Sequence, residues 1–438
     1  MRWRRCRAAR AVIGRPQPWS RRRLGRVARF VPTVLAATLL PAAIGSSALR
    51  AQEPLPRAAL AEVGLDGESL RQITEVLQRA VAAERIAGGV VGVARHGRVA
   101  YLEAVGAQDL ESGTPMTVGS IFRIYSMTKA VTGAAAMILH EEGRFQLDDP
   151  VSTYLPRFAD VVVFEEDGST RPPARSVTVR DLLLHTSGLS HRSSTEYQEA
   201  RVRSRSITLE RLVDNIVGVP LREDPGTRFR YSAATTVLGR LVEVWSGQPF
   251  DVFLRERVLG PLRMSDTDFW VEPEDQHRLS GVYASSDAGP LAPYSMEDVP
   301  FTERPALLEG AVGLVSTVPD FLRFSQMLLN GGELDGARIL RAETVADMTR
   351  NGLPEEVLSA RRGGTGWALA NVSVVVDPAE AEEGSRAGEF RWDGSAGTEF
   401  WVDPSTETIV VTAWQSAPAN PDRLRQRIRA LVRDAIRK

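Results

Sequence analysis

Ser126 and Lys129 stand three residues apart in Ser126-Met127-Thr128-Lys129, and such a pair can carry out acyl transfer. A serine hydroxyl becomes a nucleophile when a neighbouring base takes its proton. A lysine can be that base only if it can be neutral, which requires desolvation or nearby positive charge. Of 54 basic residues in the chain, only Lys129 and the C-terminal Lys438 are lysines, and the other 52 are arginines. Arginine matches lysine for charge and salt bridging but does not give up its proton in a protein. The single internal lysine therefore marks a position that needs a titratable amine. By itself the S-x-x-K spacing is a weak motif, because a serine at this place often only caps a helix.

The segment 127–142 is Ala-rich, lacks proline and ends at Gly143, which predicts a helix with Ser126 at or just before its first turn. That placement would serve the chemistry in three ways. The positive end of the helix dipole stabilises a developing alkoxide. The serine's own N–H is free to face an oxyanion. Residue i+3 lies on the same helix face, which brings the Lys129 amine within reach of the Ser126 hydroxyl.

Around this helix the pattern changes twice. An N-cap at Asp66 with Leu70, Ile73, Leu77, Ala80 and Val81 behind it predicts a first helix. Segments 88–94 and 98–105 read as strands joined at His96-Gly97, a hairpin signature. From about 154 to 300 helical patterns dominate, at 179–185, 209–217, 236–245 and 250–258. Strand patterns return at 366–376, 389–392, 399–402 and 408–414, and an amphipathic helix over 422–436 follows. Residues 377–388, rich in acid, Ala and Gly, read as a mobile loop. The expectation is an α/β (α+β) protein with a sheet domain from 58–155 and 300–438 and a helical insertion at 156–299. The active site is expected between the two.

Residues 1–51 contain 12 arginines and no acid, then an apolar run from Phe30 to about Ala43 and small residues at Gly45, Ser46, Ser47 and Ala48. This is the pattern of an export signal, and Ser20-Arg21-Arg22-Arg23-Leu24 resembles the twin-arginine type. The expectation is a periplasmic or extracellular protein with no stable membrane insertion once the signal is cleaved. The leader arginines account for the near balance of 54 basic and 55 acidic residues, and without them acids exceed bases by 13. An acidic body disfavours nucleic-acid partners. Cys6, the sole cysteine, lies in the leader, so neither a disulfide nor a thiol nucleophile is expected in the mature protein.

Four further stretches accompany S-x-x-K: Leu184-His185-Thr186-Ser187-Gly188-Leu189, Pro225-Gly226-Thr227-Arg228-Phe229-Arg230-Tyr231-Ser232, Gly313-Leu314-Val315-Ser316-Thr317, and Phe390 to Thr398 with Trp392-Asp393-Gly394 inside it. In this order they resemble the penicillin-recognising serine hydrolase superfamily, which includes class C β-lactamases, DD-peptidases and family VIII carboxylesterases. The resemblance spans about Leu65 to Ile436. It implies a β-lactamase/transpeptidase-like fold, an antiparallel sheet flanked by helices with an inserted helical domain. It also implies Ser126 as nucleophile, Lys129 as its base, and Tyr231 as the tyrosine that shuttles protons. The oxyanion donors would be the N–H groups of Ser126 and Ser395, and Tyr125, Ala233, Trp392, Asp393 and Gly394 would line the substrate site.

The departures from the family pattern are informative. Ala233 stands where Y-x-N has an amide side chain, and W-D-G replaces K-T-G. A penicillin carboxylate would lose its cation and hydroxyl, and Asp393 is expected to repel it. Trp392 offers an apolar wall, and W-x-G is a substitution of the esterase branch. The reading is a cofactor-free and metal-free serine hydrolase that cleaves small-molecule carboxylic esters through an acyl-enzyme. A β-lactamase, D-amino-acid peptidase or acyltransferase on the same scaffold, and a catalytically silent cell-wall-binding module, are the other readings; the sequence specifies no oligomeric state. His185 and His191 lack zinc-ligand spacing with a third partner, so His185 reads as structural. Arg201, Arg203 and Arg205 read as a solvated helical face.

Overall fold

Asp66 starts the first helix through its carboxylate, which accepts the Ser69 N–H at 2.9 Å, and α1 runs over Gly67–Ala82. Two strands follow, β1 (Gly88–Arg95) and β2 (Arg98–Asp109). Both turn residues between them are left-handed, His96 at φ 52° and Gly97 at φ 74°, the backbone that a tight two-residue hairpin requires. The computed structural model describes residues 55–286 and 289–436. The leader expected at 1–51, with Cys6, lies outside them. Residues Gln52–Lys438 form one compact unit.

The main sheet adds a short β3 (Thr114–Pro115) and five strands from the far end of the chain. These are β4 (Thr365–Ala368), β5 (Val372–Val375), β6 (Phe390–Asp393), β7 (Glu399–Asp403) and β8 (Thr408–Trp414). The spatial order is β4-β5-β6-β7-β8-β1-β2-β3, with every neighbouring pair antiparallel. The outer pair corrects the single strand expected over 366–376. Asn371, at φ 58°, reverses the chain inside a continuously buried run, so no change of hydrophobic period marks the turn.

Helices cover both faces of the sheet. The C-terminal helix, Leu424–Ala435, packs with α1 on one face against Val91, Val93, Trp401, Val410 and Trp414. On the other face Val90, Phe400 and Val411 join the larger core with a helix over Val318–Leu329. That helix, absent from the sequence reading, lies so close that a Cβ on Gly92 would sit 2.8 Å from Val318 Cγ1. The residues between β3 and β4 supply the remaining helices, among them Leu209–Val217 and Ala234–Ser246.

Two expectations are overturned by ion pairing. The segment 377–388 is not a free loop, because Glu382 accepts from Arg429 Nε and Arg433 Nη1, each at 3.1 Å. Arg203 and Arg205 belong to no helix and are not solvated. Arg203 reaches Glu309 at 2.6 Å and Glu297 at 2.8 Å, while the buried Arg205 lies 3.7 Å over the Phe301 ring. Among the described residues no helix is long and apolar enough to cross a membrane.

Candidate active site

Ser126 occupies a single 3-10 turn, Tyr125–Met127, that runs directly into the helix α2 (Thr128–Glu141). Tyr125 just before it is buried yet held at φ 41°, a left-handed backbone that a bulky residue adopts only when its surroundings impose it. The strain orients the turn that carries the nucleophile. Lys129, one turn of helix later, donates to Ser126 Oγ at 3.2 Å and to the Ala311 carbonyl at 2.9 Å. Its side chain is buried, and burial is the main cause of a pKa pulled down to about 7; Glu309 opposes this and Arg192 adds to it. Near neutral pH the amine is thus divided between its charged and neutral forms.

Tyr231 completes the trio. Its hydroxyl accepts the Trp392 indole N–H at 3.1 Å, and Ser126 is among the groups close enough to act on its proton. Lys129 Nζ lies 4.7 Å from the centre of its ring. Burial pushes the phenol well above its ordinary pKa, so it is a proton-bearing group at neutral pH. The ring is fixed by aromatic neighbours: His185 at 4.8 Å, Trp392 at 5.0 Å, His191 at 5.7 Å and Trp367 at 5.9 Å between centroids. His185 Nδ1 accepts the N–H of Ser232, the residue after Tyr231, at 3.2 Å. Its ring is fully buried, and burial and Lys129 hold its pKa far below the ordinary value. His185 therefore supports the tyrosine in its neutral form. Trp367 at this site escaped the sequence reading, and His191 entered it only as a candidate metal ligand, since neither stands at a motif position.

The last strand segment comes in beside Ser126. Thr398 Oγ1 donates to the Ile124 carbonyl at 3.3 Å, and a Cβ on Gly394 would lie 2.5 Å from that same oxygen. Only glycine allows this approach. Gly394 N–H donates to Thr398 O at 2.8 Å and Gly397 N–H to Gly394 O at 3.1 Å, which folds residues 394–398 into a tight turn. Within it the Ser395 N–H has no protein acceptor among the described residues, and the same is true of the Ser126 N–H. Two unused donors on adjoining segments suit a developing oxyanion.

Strand alternation separates Trp392 from Asp393. Trp392 faces Tyr231, whereas Asp393 faces the C-terminal helix and pairs with Arg425. Arg425 also donates to Gly394 O at 3.0 Å and Thr398 O at 3.2 Å, tying the 394–398 turn to that helix. The expected repulsion of a carboxylate by Asp393 is corrected accordingly: the charge is paired on the face away from Trp392. Arg391 points the same way as Asp393, 3.7 Å from Glu382. Ala233 precedes the helix Ala234–Ser246, with its methyl in the core and its N–H bonded to Ser190 O at 3.0 Å. No side-chain amide stands there.

Comparison with known proteins bears on this arrangement. A family model described as Beta-lactamase matches residues 73–435. Protein Rv1367c of Mycobacterium tuberculosis is 34% identical over 378 residues, covering 81% of this chain and 91% of that protein. Esterase EstB of Burkholderia gladioli is 31% identical over 366 residues, covering 77% of this chain and 88% of its own length. Among solved structures, EstCE1, described as a hydrolase with promiscuous acyltransferase activity, superimposes with a TM-score of 0.72 at 28% identity, over 84% of this chain and 98% of its own. The fold is that of β-lactamases and transpeptidases, and the chain belongs to the beta-lactamase family, as a serine hydrolase on the esterase side of the penicillin-recognising superfamily.

Proposed function

We propose that this enzyme hydrolyses small carboxylic esters through an acyl-enzyme on Ser126. The observation that carries the reading is the pairing of Ser126 with an amine whose pKa lies at about 7, beside a phenol that keeps its proton. These states divide the labour. Neutral Lys129 accepts the proton as Ser126 Oγ attacks the ester carbonyl, and the N–H groups of Ser126 and Ser395 receive the oxyanion. Tyr231, bearing its proton, donates to the leaving alkoxide, and the resulting phenolate takes back the proton that Lys129 received from Ser126. Water then attacks the acyl-enzyme along the reverse route. An ester fits better than a penicillin because Trp392 and Ala233 replace the amine and amide that the family pattern supplies.

Export is proposed as well, supported by the basic, then apolar, then small-residue order of residues 1–51.

Ser126→Ala tests the reading directly. The variant should fold, since loss of a helix-start hydroxyl costs only about 1 kcal/mol. It should lose p-nitrophenyl ester turnover by at least ~10³-fold and all labelling by a fluorophosphonate. Retained turnover or labelling would place the nucleophile elsewhere.

A further inference from the structure

Beside the nucleophile lies a cavity of about 160 Å³ that the proposed mechanism does not use. Arg123, Tyr125, Val282, Met296 and Phe301 line it. Tyr125 adjoins Ser126 in sequence and packs against Ala311, whose carbonyl holds Lys129, and against Ala396, next to Ser395. The cavity is thus bordered by the residue that precedes the nucleophile and by neighbours of the segments that carry Lys129's acceptor and Ser395.

Two polar groups on its wall keep donors that no protein acceptor takes up among the described residues. Tyr125 is 1% exposed, and its hydroxyl makes no hydrogen bond among the described residues. Arg123 donates Nη1 to Ser280 O at 2.6 Å but meets no carboxylate among the described residues. Arg203, Arg429 and Arg433 each meet one, Glu309, Glu399 and Glu389 in turn, whereas the buried Arg205 rests on the Phe301 ring. Glu297 also borders the cavity, yet both its oxygens are engaged, one by Arg192 at 3.1 Å and the other by Arg203 at 2.8 Å. The charged groups that bear most on the Tyr125 hydroxyl are three cations, Arg123, Arg192 and Arg205, and one carboxylate, Glu297. Positive charge is in excess there.

We propose that Arg123 and Tyr125 form a subsite for a carboxylate carried by the substrate, with the apolar part of the same arm against Val282, Met296 and Phe301. The guanidinium offers planar paired donors and the phenol a third, a set that suits a carboxylate. The substrate class is then a carboxylate-bearing ester, such as a half-ester of a dicarboxylic acid. This rests on the esterase reading above and narrows it. The subsite lies on the Tyr125 side of Ser126, whereas the family pattern places its own carboxylate cation at the position of Trp392.

Two matched substrate pairs test the subsite and locate the arm. The acyl arm is probed by p-nitrophenyl valerate against mono-p-nitrophenyl glutarate. The alcohol arm is probed by 4-ethylphenyl acetate against 4-(carboxymethyl)phenyl acetate. In one pair the charged ester should have kcat/KM at least ~10-fold above its neutral partner, the scale of one charge-assisted contact. In Arg123→Gln that ratio should fall to about 1, and Arg123→Lys should keep part of it. Tyr125→Phe, which preserves the ring, should reduce the ratio about 3-fold and keeps the test alive if Arg123→Gln does not fold. Equal kcat/KM within both pairs, with neutral esters turned over, would overturn the subsite alone, and the cavity would be a solvent-filled void. A preference unchanged in Arg123→Gln and Tyr125→Phe would assign the carboxylate to other residues. Failure of every ester together with absent fluorophosphonate labelling would instead overturn the esterase reading.

Discussion

The indole N–H of Trp392 donates to the hydroxyl of Tyr231 at 3.1 Å. The residue that stands at the family's K-T-G lysine position therefore also contacts the Tyr231 phenol, the proton donor of the proposed mechanism. The bond occupies one acceptor lone pair of the phenolic oxygen and so limits the directions its proton can take. Trp392→Phe would retain an aromatic wall and remove this donor. The expected outcome is a fall in kcat of about 3–10-fold with little change in KM, the usual worth of one neutral hydrogen bond. Steady-state kinetics on a p-nitrophenyl ester would read it. An unchanged kcat would mean that the bond does not orient the phenol in the transition state.

Lys129→Arg separates a base from a fixed cation. The substitution preserves charge and helix propensity, and the chain uses arginine nearly everywhere else. Arginine cannot accept the proton, so kcat/KM should fall by at least ~10²-fold. Circular dichroism should confirm the fold. Near-wild-type turnover in a folded variant would show that only the positive charge matters.

The pH profile should carry the same amine. Its pKa of about 7 requires kcat/KM to rise with pH through about 7 as Lys129 loses its proton. Stability follows in the same direction. Between about 7 and the ordinary value of 10.5, the unfolded chain binds a proton that the folded chain has released. This group therefore makes stability rise with pH across that window. Lys129→Met removes the penalty, so it should raise Tm more at pH 6 than at pH 10.5. Equal shifts at both pH values would refute the lowered pKa.

Nitrocefin should be hydrolysed slower than p-nitrophenyl esters by orders of magnitude. Its carboxylate is rigidly placed relative to the lactam carbonyl, and at the family's K-T-G position it would meet the Trp392 indole. Ala233 offers no amide for the side-chain carbonyl. Both lost contacts are polar recognition, whose absence is heavily discriminating. Comparable kcat/KM for nitrocefin and an ester would mean that another residue receives the carboxylate.

Much of the architecture was legible because local pattern and fold agree. The Asp66 cap, the His96-Gly97 turn and the short β-rich runs near the C-terminus are short-range signatures, and each element formed near its expected place. Where burial is complete on every side the pattern gives no boundary. The reversal at Asn371 and the helix over Val318–Leu329 fell in such runs. Arg203, Arg205 and Glu382 misled for another reason: a charged residue in sequence gives no sign of the counter-ion or ring that meets it from a distant part of the chain.

The sequence by itself determined the chemistry available at the site. One lysine among arginines, three residues after a serine, named the pair, and the block ending in Tyr231 named its partner. The tertiary structure decided the states and directions of these groups. Burial lowers the amine's pKa to about 7 and keeps the phenol protonated, and burial depends on the whole surrounding core. Which way Trp392 and Asp393 point follows from the pleat of β6 and from what packs on each face: Tyr231 on one side, Arg425 on the other. Proton affinity and side-chain direction are properties of an environment, and residues far apart in the chain assemble that environment only on folding.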